Sequence, residues 1–325
     1  MFIDARQLAD GAVADTTVCI IGGGVAGITI ALELEKSGID CIVLESGGHE
    51  ADDATRDLYR GENVGLPYDF ADGCRSRFLG GSSNCWGGWC RPFEDIDFQQ
   101  RDWVPNSGWP FGAEEVAPYY ARTHELLQLG PVNYDPAFWE AAVGRADVRR
   151  LPLTGKKIED VLIQFSPPSR FGKVYHDRLS AAKHANVYLY SNVVDIETDR
   201  SGQTVNAVQV KTLTGRSVAV RAKQYILAAG GIENARLLLA ANKIAPNGVG
   251  NNHDLVGRYY MDHPRVYWGR ITPKDPAYRN KFFDHKFHYL NKAVSANGTC
   301  IAGNLKLKSA VQKDERVLNS HVWFS

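Results

Sequence analysis

Near the N-terminus, Gly22-Gly23-Gly24-Val25-Ala26-Gly27 follows the apolar run Val18-Cys19-Ile20-Ile21 and opens a helical stretch over 25–37. Gly38 stops that stretch, and a second apolar run, Cys41-Ile42-Val43-Leu44, ends at Glu45. Strand, glycine turn, helix, strand and acid, in that order, are the context in which a G-x-G-x-x-G spacing binds a dinucleotide. Gly22 permits a tight turn, Gly24 lets the backbone approach a pyrophosphate, and Gly27 lets the helix sit close on the strand. Unpaired N–H groups at the positive helix end then hold the phosphates. Glu45 is placed to take the two hydroxyls of an adenosine ribose, and its charge disfavours a 2′-phosphate. This turn identifies a dinucleotide and does not separate NAD from FAD.

Two further blocks bear on that choice. Ile226-Leu227-Ala228-Ala229-Gly230-Gly231 is another apolar strand running into small residues at a helix start, far downstream of the first. A plain NAD-dependent dehydrogenase has no need of it, whereas large FAD enzymes return a strand to the sheet and pack its Ala/Gly turn on the dinucleotide. The other block is Arg77-Phe78-Leu79-Gly80-Gly81-Ser82-Ser83-Asn84-Cys85-Trp86-Gly87-Gly88. Gly80-Gly81 removes side chains where a backbone passes close to a flat or charged group. Ser82, Ser83 and Asn84 offer donors suited to phosphate or a flavin edge.

Residues 22–45, 80–86 and Ala228-Ala229-Gly230-Gly231-Ile232-Glu233-Asn234-Ala235-Arg236-Leu237-Leu238, in this order, resemble the glucose–methanol–choline (GMC) oxidoreductases, FAD enzymes that oxidise alcohols. Val256-Gly257-Arg258-Tyr259-Tyr260-Met261-Asp262-His263-Pro264 is similar to that family's segment ending in Asp-His-Pro. The 80–86 block, with Ser107-Gly108-Trp109-Pro110 and Pro118-Tyr119-Tyr120, resembles the sugar-oxidising, pyranose-oxidase-like branch. The resemblance covers essentially the whole chain. It implies FAD as cofactor, with Gly22, Gly24 and Gly27 at the pyrophosphate and Glu45 at the ribose. It also implies the Val194 backbone at the adenine, Gly81 to Cys85 along the isoalloxazine, and Ala229 and Gly230 closing the cleft. Arg77, Gly80, Ser82, Ser83, Asn84 and Trp86 are the remaining expected cofactor contacts. Several sugar oxidases of this type carry, just before the tryptophan, a histidine bonded to the flavin. That position is Cys85 here, so noncovalent FAD is expected, with a thioether link as the alternative.

The elements that position these residues read as α/β. The expected fold is an FAD-binding, Rossmann-like (three-layer ββα) domain with an antiparallel-sheet substrate domain. The FAD domain is expected to be discontinuous, over 1–110 and 180–265, with 111–179 and 266–325 forming an apparently truncated substrate domain. A helix is expected over 114–129, irregular chain over 131–170, and a second helix over 232–242. Strand patterns at 187–190, 193–196, 205–210 and 217–220, with turns at Ser201-Gly202 and Thr214-Gly215, read as an antiparallel meander. From Tyr267 on, aromatic and β-branched residues interleave with charges, as in a half-exposed sheet.

At 325 residues, 44% apolar and 23% charged, the chain reads as globular with two domains. Its 37 basic and 37 acidic residues give no electrostatic case for nucleic acid or an anionic membrane. No apolar run nears the roughly 20 residues of a membrane helix, and the N-terminus lacks a signal-peptide core, so a cytoplasmic location is expected. The six cysteines form no C-x-x-C pair and no zinc spacing, so no metal is expected. Cys19 and Cys41 read as core residues, and the sequon at Asn297 carries no weight without secretion. A homo-oligomer is compatible with these features.

Flavin-dependent alcohol oxidation needs a base for the hydroxyl proton while hydride passes from carbon to flavin N5. The resemblance implies a His paired with His or Asn, and none of the nine histidines matches that motif. His124 and His184 lie in helical contexts, His263 reads as structural, and His285 and His288 fall on the late sheet. The pair is therefore expected beyond Ser325, in a longer enzyme. The expected activity is oxidation of a CH–OH group, a secondary alcohol of a sugar, glycoside or polyol. The alternatives are an FAD oxidase of another class, acting on amines or steroids, and a non-catalytic FAD-binding fragment.

Overall fold

The computed structural model describes residues 1–66, 74–167, 169–264, 266–267, 269–272, 274, 280–283, 295–296 and 298–324. His285, His288 and Asn297 lie outside the described residues. Two compact units are formed, Met1–Trp86 with Arg170–Val266, and Gly87–Ser169 with Tyr267–Ser325. The boundaries fall before those expected at 110 and 180, for reasons visible in the pairing. Trp89 and Cys90 form a strand against Phe165 and Gln164 of the second unit. Phe171 N–H donates to the Ser83 hydroxyl of the first at 3.0 Å.

The strands in chain order are β1 (Phe2–Asp4), β2 (Ala12–Ile21), β3 (Cys41–Leu44), β4 (Trp89–Cys90), β5 (Ile158–Phe165) and β6 (Ala185–Leu189). They continue with β7 (Asn192–Thr198), β8 (Val205–Lys211), β9 (Ser217–Leu227), β10 (Ser295–Ala296), β11 (Thr299–Leu307) and β12 (His321–Val322). The helices used below are α1 (Val25–Lys36), α2 (Asp53–Asp57), α3 (Asp95–Phe98), α4 (Ala113–Leu127), α5 (Pro136–Val143), α6 (Phe171–Val174), α7 (His176–Ser180) and α8 (Gly231–Ala240).

The first unit is built on a seven-stranded sheet in the order β1-β6-β3-β2-β9-β8-β7. Strands β1, β6, β3, β2 and β9 run parallel, and β7 and β8 join antiparallel through β9. Val18 to Ile21 and Cys41 to Leu44 are buried without alternation, as parallel strands covered on both faces must be. Cys19 and Cys41 are core residues whose burial pushes their thiols up to about 12 and about 11. Helix α1 ends where Gly38 takes a φ of 66°, the left-handed turn that closes helices. The core gathers Cys19, Ile21, Ile42 and Leu44 with Val208, Val210, Val218, Val220 and Leu237.

Three expectations are corrected here. Residues 187–189 lie in β6, a parallel strand between β1 and β3, and Tyr190 in the turn after it, outside the meander, which is β7-β8-β9 alone. The runs at 217–220 and 224–227 are one continuous strand, β9, whose far edge pairs with β2 over its length. Its alternation of Val218 and Val220 with Arg221 and Lys223 hid a strand that ends in the parallel core. The 131–170 segment is ordered rather than irregular. It holds α5, capped by Asp135 accepting from Ala137 N–H, and β5, paired with β11 from Ile158 to Phe165.

In the second unit the sheet order is β10-β11-β5-β4, with β12 beside β11. Its core sets Trp139 and Leu162 against Phe282, Phe283 and Ile301, all fully buried. The Trp139 indole N–H donates to Asn133 O at 2.8 Å, so its one polar atom is satisfied. Among the described residues no helix is long and apolar enough to cross a membrane.

Candidate active site in the first unit

Strand β2 is where the order of the sheet reverses: the chain passes to β3 on one side, while β9 fills the other. Ligands of open parallel sheets bind beyond the carboxyl ends of the strands at such a switch point. There lies a cleft of about 680 Å³, bounded by Ile21, Leu44 and Leu227, the last residues of β2, β3 and β9. That volume is in the range of small-molecule and cofactor sites.

The turn after β2 is fixed by contacts that leave no room for side chains. Gly22 has a φ of 110°, and a Cβ there would lie 2.6 Å from Ala228 O. A Cβ on Gly27 would lie 1.9 Å from Gly22 O, so helix α1 can rise directly behind the turn only with hydrogen at this position. Gly24 differs. A Cβ there would meet nothing nearer than Gly81 Cα at 3.8 Å, and it would enter the cleft that Gly24 lines. No side chain caps α1 and no acid stands in its first turn. Its first backbone bond is Ile28 N–H to Gly24 O at 2.9 Å. Gly22 N–H is taken by Leu44 O and Gly23 N–H by Glu45, which leaves the amides of 24–27 to a ligand or solvent, and the helix end favours an anion.

Glu45 is buried, with both oxygens turned onto backbone: Gly23 N–H donates to Oε2 and Gly47 N–H to Oε1, each at 2.9 Å. Burial raises the Glu45 carboxyl above its ordinary value, against the pull of the Gly47 and Gly23 N–H groups and of Arg77. Each oxygen keeps a second lone pair, and the residue lines the cleft. The carboxylate is therefore a pre-oriented acceptor held in place by the turn it serves.

The 77–86 block folds against this turn. Gly80 N–H donates to Gly23 O at 2.8 Å and Leu79 N–H to Gly48 O at 3.0 Å. Residues Gly81–Asn84 form a 3-10 turn. Its polar side chains divide in a way that the sequence did not reveal. Ser83 is buried and spent internally, donating to Gly80 O at 2.7 Å and accepting from Phe171 N–H. Asn84 Nδ2 donates to Leu79 O at 3.0 Å. Arg170 braces the turn from behind through Ser83 O at 2.5 Å. Ser82 remains as the exposed hydroxyl of the three.

Of the expected cofactor contacts, Gly22, Gly24, Glu45, Arg77, Gly81, Ser82, Ser83, Trp86, Ala229 and Gly230 line one cleft. Gly27, Gly80, Asn84 and Cys85 lie outside its lining. Cys85 is exposed, its thiol 3.5 Å from Ser82 O. Val194 stands at a register shift of β7 between Val193 and Asp195, while its neighbours Ser191 and Val193 line the cleft.

Sequence reasoning missed the charged wall. Arg75, Arg77 and Arg236 all pair with Glu233, at 3.3, 3.2 and 2.9 Å. The Arg75 guanidinium sits 3.8 Å over the Tyr59 ring. Glu233 and Arg236 lay in the quoted Ile232 to Leu238 block, and their i,i+3 spacing in a helix was the available signal. Nothing local marked Tyr59, which follows α2 in a stretch without periodicity.

The cleft fits a dinucleotide: an uncapped helix end, a glycine whose missing Cβ opens the wall, and a fixed carboxylate acceptor. The comparisons with known proteins agree. A family model described as FAD dependent oxidoreductase (DAO) matches residues 17–303. The chain is 26% identical over 321 residues to a 6'''-hydroxyparomomycin C oxidase of Streptomyces lividus, covering 80% of this chain and 56% of that protein. It is 25% identical over 336 residues to a 2-methyl-1,2-propanediol dehydrogenase of Mycolicibacterium austroafricanum, covering 84% and 61%. A paromamine 6'-oxidase of Streptomyces fradiae is 27% identical over 297 residues, covering 74% and 52%. The chain thus spans little more than half the length of these curated relatives.

Proposed function

The chain belongs to the FAD dependent oxidoreductases, and from that premise we propose that it oxidises a CH–OH group, a secondary alcohol of a sugar, glycoside or polyol. The observation that carries this reading is the Gly80-Gly81 turn, folded onto the dinucleotide turn so that Gly81, Ser82 and Trp86 face the cleft. That block, followed by the 228–238 block, is the arrangement in which the sequence resembles the GMC oxidoreductases and their pyranose-oxidase-like branch. The names of the three relatives, two oxidases of paromomycin-type compounds and a diol dehydrogenase, support an alcohol as substrate.

FAD, when bound, supplies the hydride acceptor. The chain's own residues bind and orient it. The first turn of α1, with Gly24 beside it, receives the pyrophosphate; Glu45 accepts from the ribose hydroxyls; Ala229 and Gly230 close the far wall. The exposed Ser82 hydroxyl and Trp86 border the substrate side of the 80–86 turn. The buried Ser83 and the half-buried Asn84 keep that turn rigid, so that its backbone is pre-formed before substrate arrives. Among the described residues, no histidine lines the cleft.

The test is anaerobic mixing of the holoprotein with a panel of sugars, polyols, vicinal diols and primary amines, following loss of the oxidised flavin absorbance. Bleaching that saturates with a sugar or polyol and is absent with amines is expected. Bleaching by amines alone, or by no alcohol in the panel, overturns the reading.

A further inference from the structure

Arg77 reaches three separately encoded parts of the dinucleotide cleft. Its Nε donates to the Ser46 hydroxyl at 2.7 Å, one residue past Glu45 at the end of β3. Its Nη1 lies 3.2 Å from Glu233 Oε2 in the first turn of α8. Its guanidinium lies 5.0 Å from the centroid of the Tyr59 ring, which Arg75 also approaches, at 3.8 Å. The Ser46 hydroxyl in turn donates to Asn192 Oδ1 at 2.6 Å, extending the connection to β7. Residue 77 is fixed at its backbone as well, since a Cβ on Gly47 would lie 2.2 Å from Arg77 O. The side chain is only 11% exposed. A guanidinium this deep in a wall is costly unless it is paired on several sides.

We propose that Arg77 is a positioning residue, a latch that ties the end of β3 to α8 and is the shared counter-charge of Glu45 and Glu233, so that retention of FAD depends on it. This rests on the reading that the cleft holds FAD. Arg77 touches the reacting part of no substrate in this scheme. It acts by keeping Glu45 a charged, fixed acceptor for the ribose and by holding the α8 wall against the β3 wall.

Of the charged groups that surround Arg77, Glu45 is the carboxyl whose pKa lies above its ordinary value. Arg75 and Arg236 face the same Glu233 carboxylate. Burial pushes the Tyr59 phenol up to about 12, so it stays neutral. Burial acts to raise the Glu233 carboxyl, but Arg77 and Arg236 more than reverse this and hold it below its ordinary value. Glu45 alone is raised on balance, with Arg77 acting to lower it. The carboxylate form is the one that accepts from ribose, and it exists above the Glu45 pKa. Removing Arg77 moves that pKa up, so the pH below which FAD binding falls away must move up too.

The experiment titrates FAD into apoprotein, reading flavin fluorescence from about pH 5 to about pH 9, for the wild type, Arg77→Met, Arg77→Lys and Glu233→Gln. In Arg77→Met the fall-off is expected at a higher pH than in the wild type, with affinity at neutral pH lower by about tenfold. Arg77→Lys keeps the charge but cannot bridge Ser46 and Glu233 as a planar fork does. Its fall-off should stay at the wild-type pH while its affinity is several-fold weaker. Glu233→Gln should weaken binding without moving the fall-off upward. Wild-type affinity in all three variants overturns the proposal, as does an equal loss at every pH in Arg77→Met accompanied by a matching drop in apoprotein melting temperature. Should the methionine variant not fold, Arg77→Lys decides, and wild-type affinity there overturns the latch. A wild type that takes up FAD but is bleached by no alcohol would sink the proposed substrate and leave the latch standing. A wild type that takes up no FAD removes both.

Discussion

At the scale of single residues, the cleft separates glycines needed for folding from glycines needed for the ligand. Gly27 is the first kind, because a methyl group there would overlap Gly22 O. Gly27→Ala should therefore lower stability by at least about 1–3 kcal/mol, the usual cost of forcing volume into packed backbone, measured as a fall in denaturation midpoint without FAD. Gly24 is the second kind, with room for a methyl group on the protein side. Gly24→Ala should melt within a few degrees of the wild type as apoprotein and yet bind FAD much more weakly. If the two variants lose the same stability without FAD, this division fails. The sequence identified both residues through spacing alone. It could not divide Ser82, Ser83 and Asn84, because which hydroxyl faces inward depends on Phe171 and Arg170, far along the chain.

At the scale of elements, the second unit contains a charge that its strand pattern disguises. Lys306 lies in β11, and its side chain is only 6% exposed. It pairs across the strands with its register partner Glu159 at 2.9 Å and also with Glu94, at the start of α3. Glu94 is held in turn by Arg91 and by its own capping box with Asp97. Opposed charges on paired strands help fix register, and removing one partner of a buried pair leaves an uncompensated charge. Lys306→Met should therefore destabilise the protein by about 2–3 kcal/mol, less than a wholly buried pair because Glu159 is partly solvated. Chemical denaturation checks this, and a midpoint unchanged from the wild type would show the lysine to be dispensable. In the sequence, Lys306 sits in an alternating stretch and reads as an outward-facing residue. Only the approach of Glu94 encloses it.

At the scale of the whole molecule, FAD held by the folded cleft and not by the unfolded chain, as proposed, would stabilise by mass action. At about 100-fold excess over its dissociation constant the gain is about 2.7 kcal/mol. The melting midpoint should rise with each increment of added FAD, and a midpoint indifferent to FAD would contradict the cleft as its site. The sequence alone determined much of this molecule. Strand periodicity, the glycine turn and the acid at the end of β3 are local signals, and they pointed to a dinucleotide site and its helix. The tertiary structure decided what depends on residues brought together from distant parts of the chain. It placed 187–189 between β1 and β3, made β9 one strand bridging the parallel and antiparallel parts, and joined Arg75, Arg77 and Arg236 to Glu233. Local sequence reports how a segment is exposed on its two faces. Which charge meets which is set by strand order, and that order is fixed only when the sheet closes around its core.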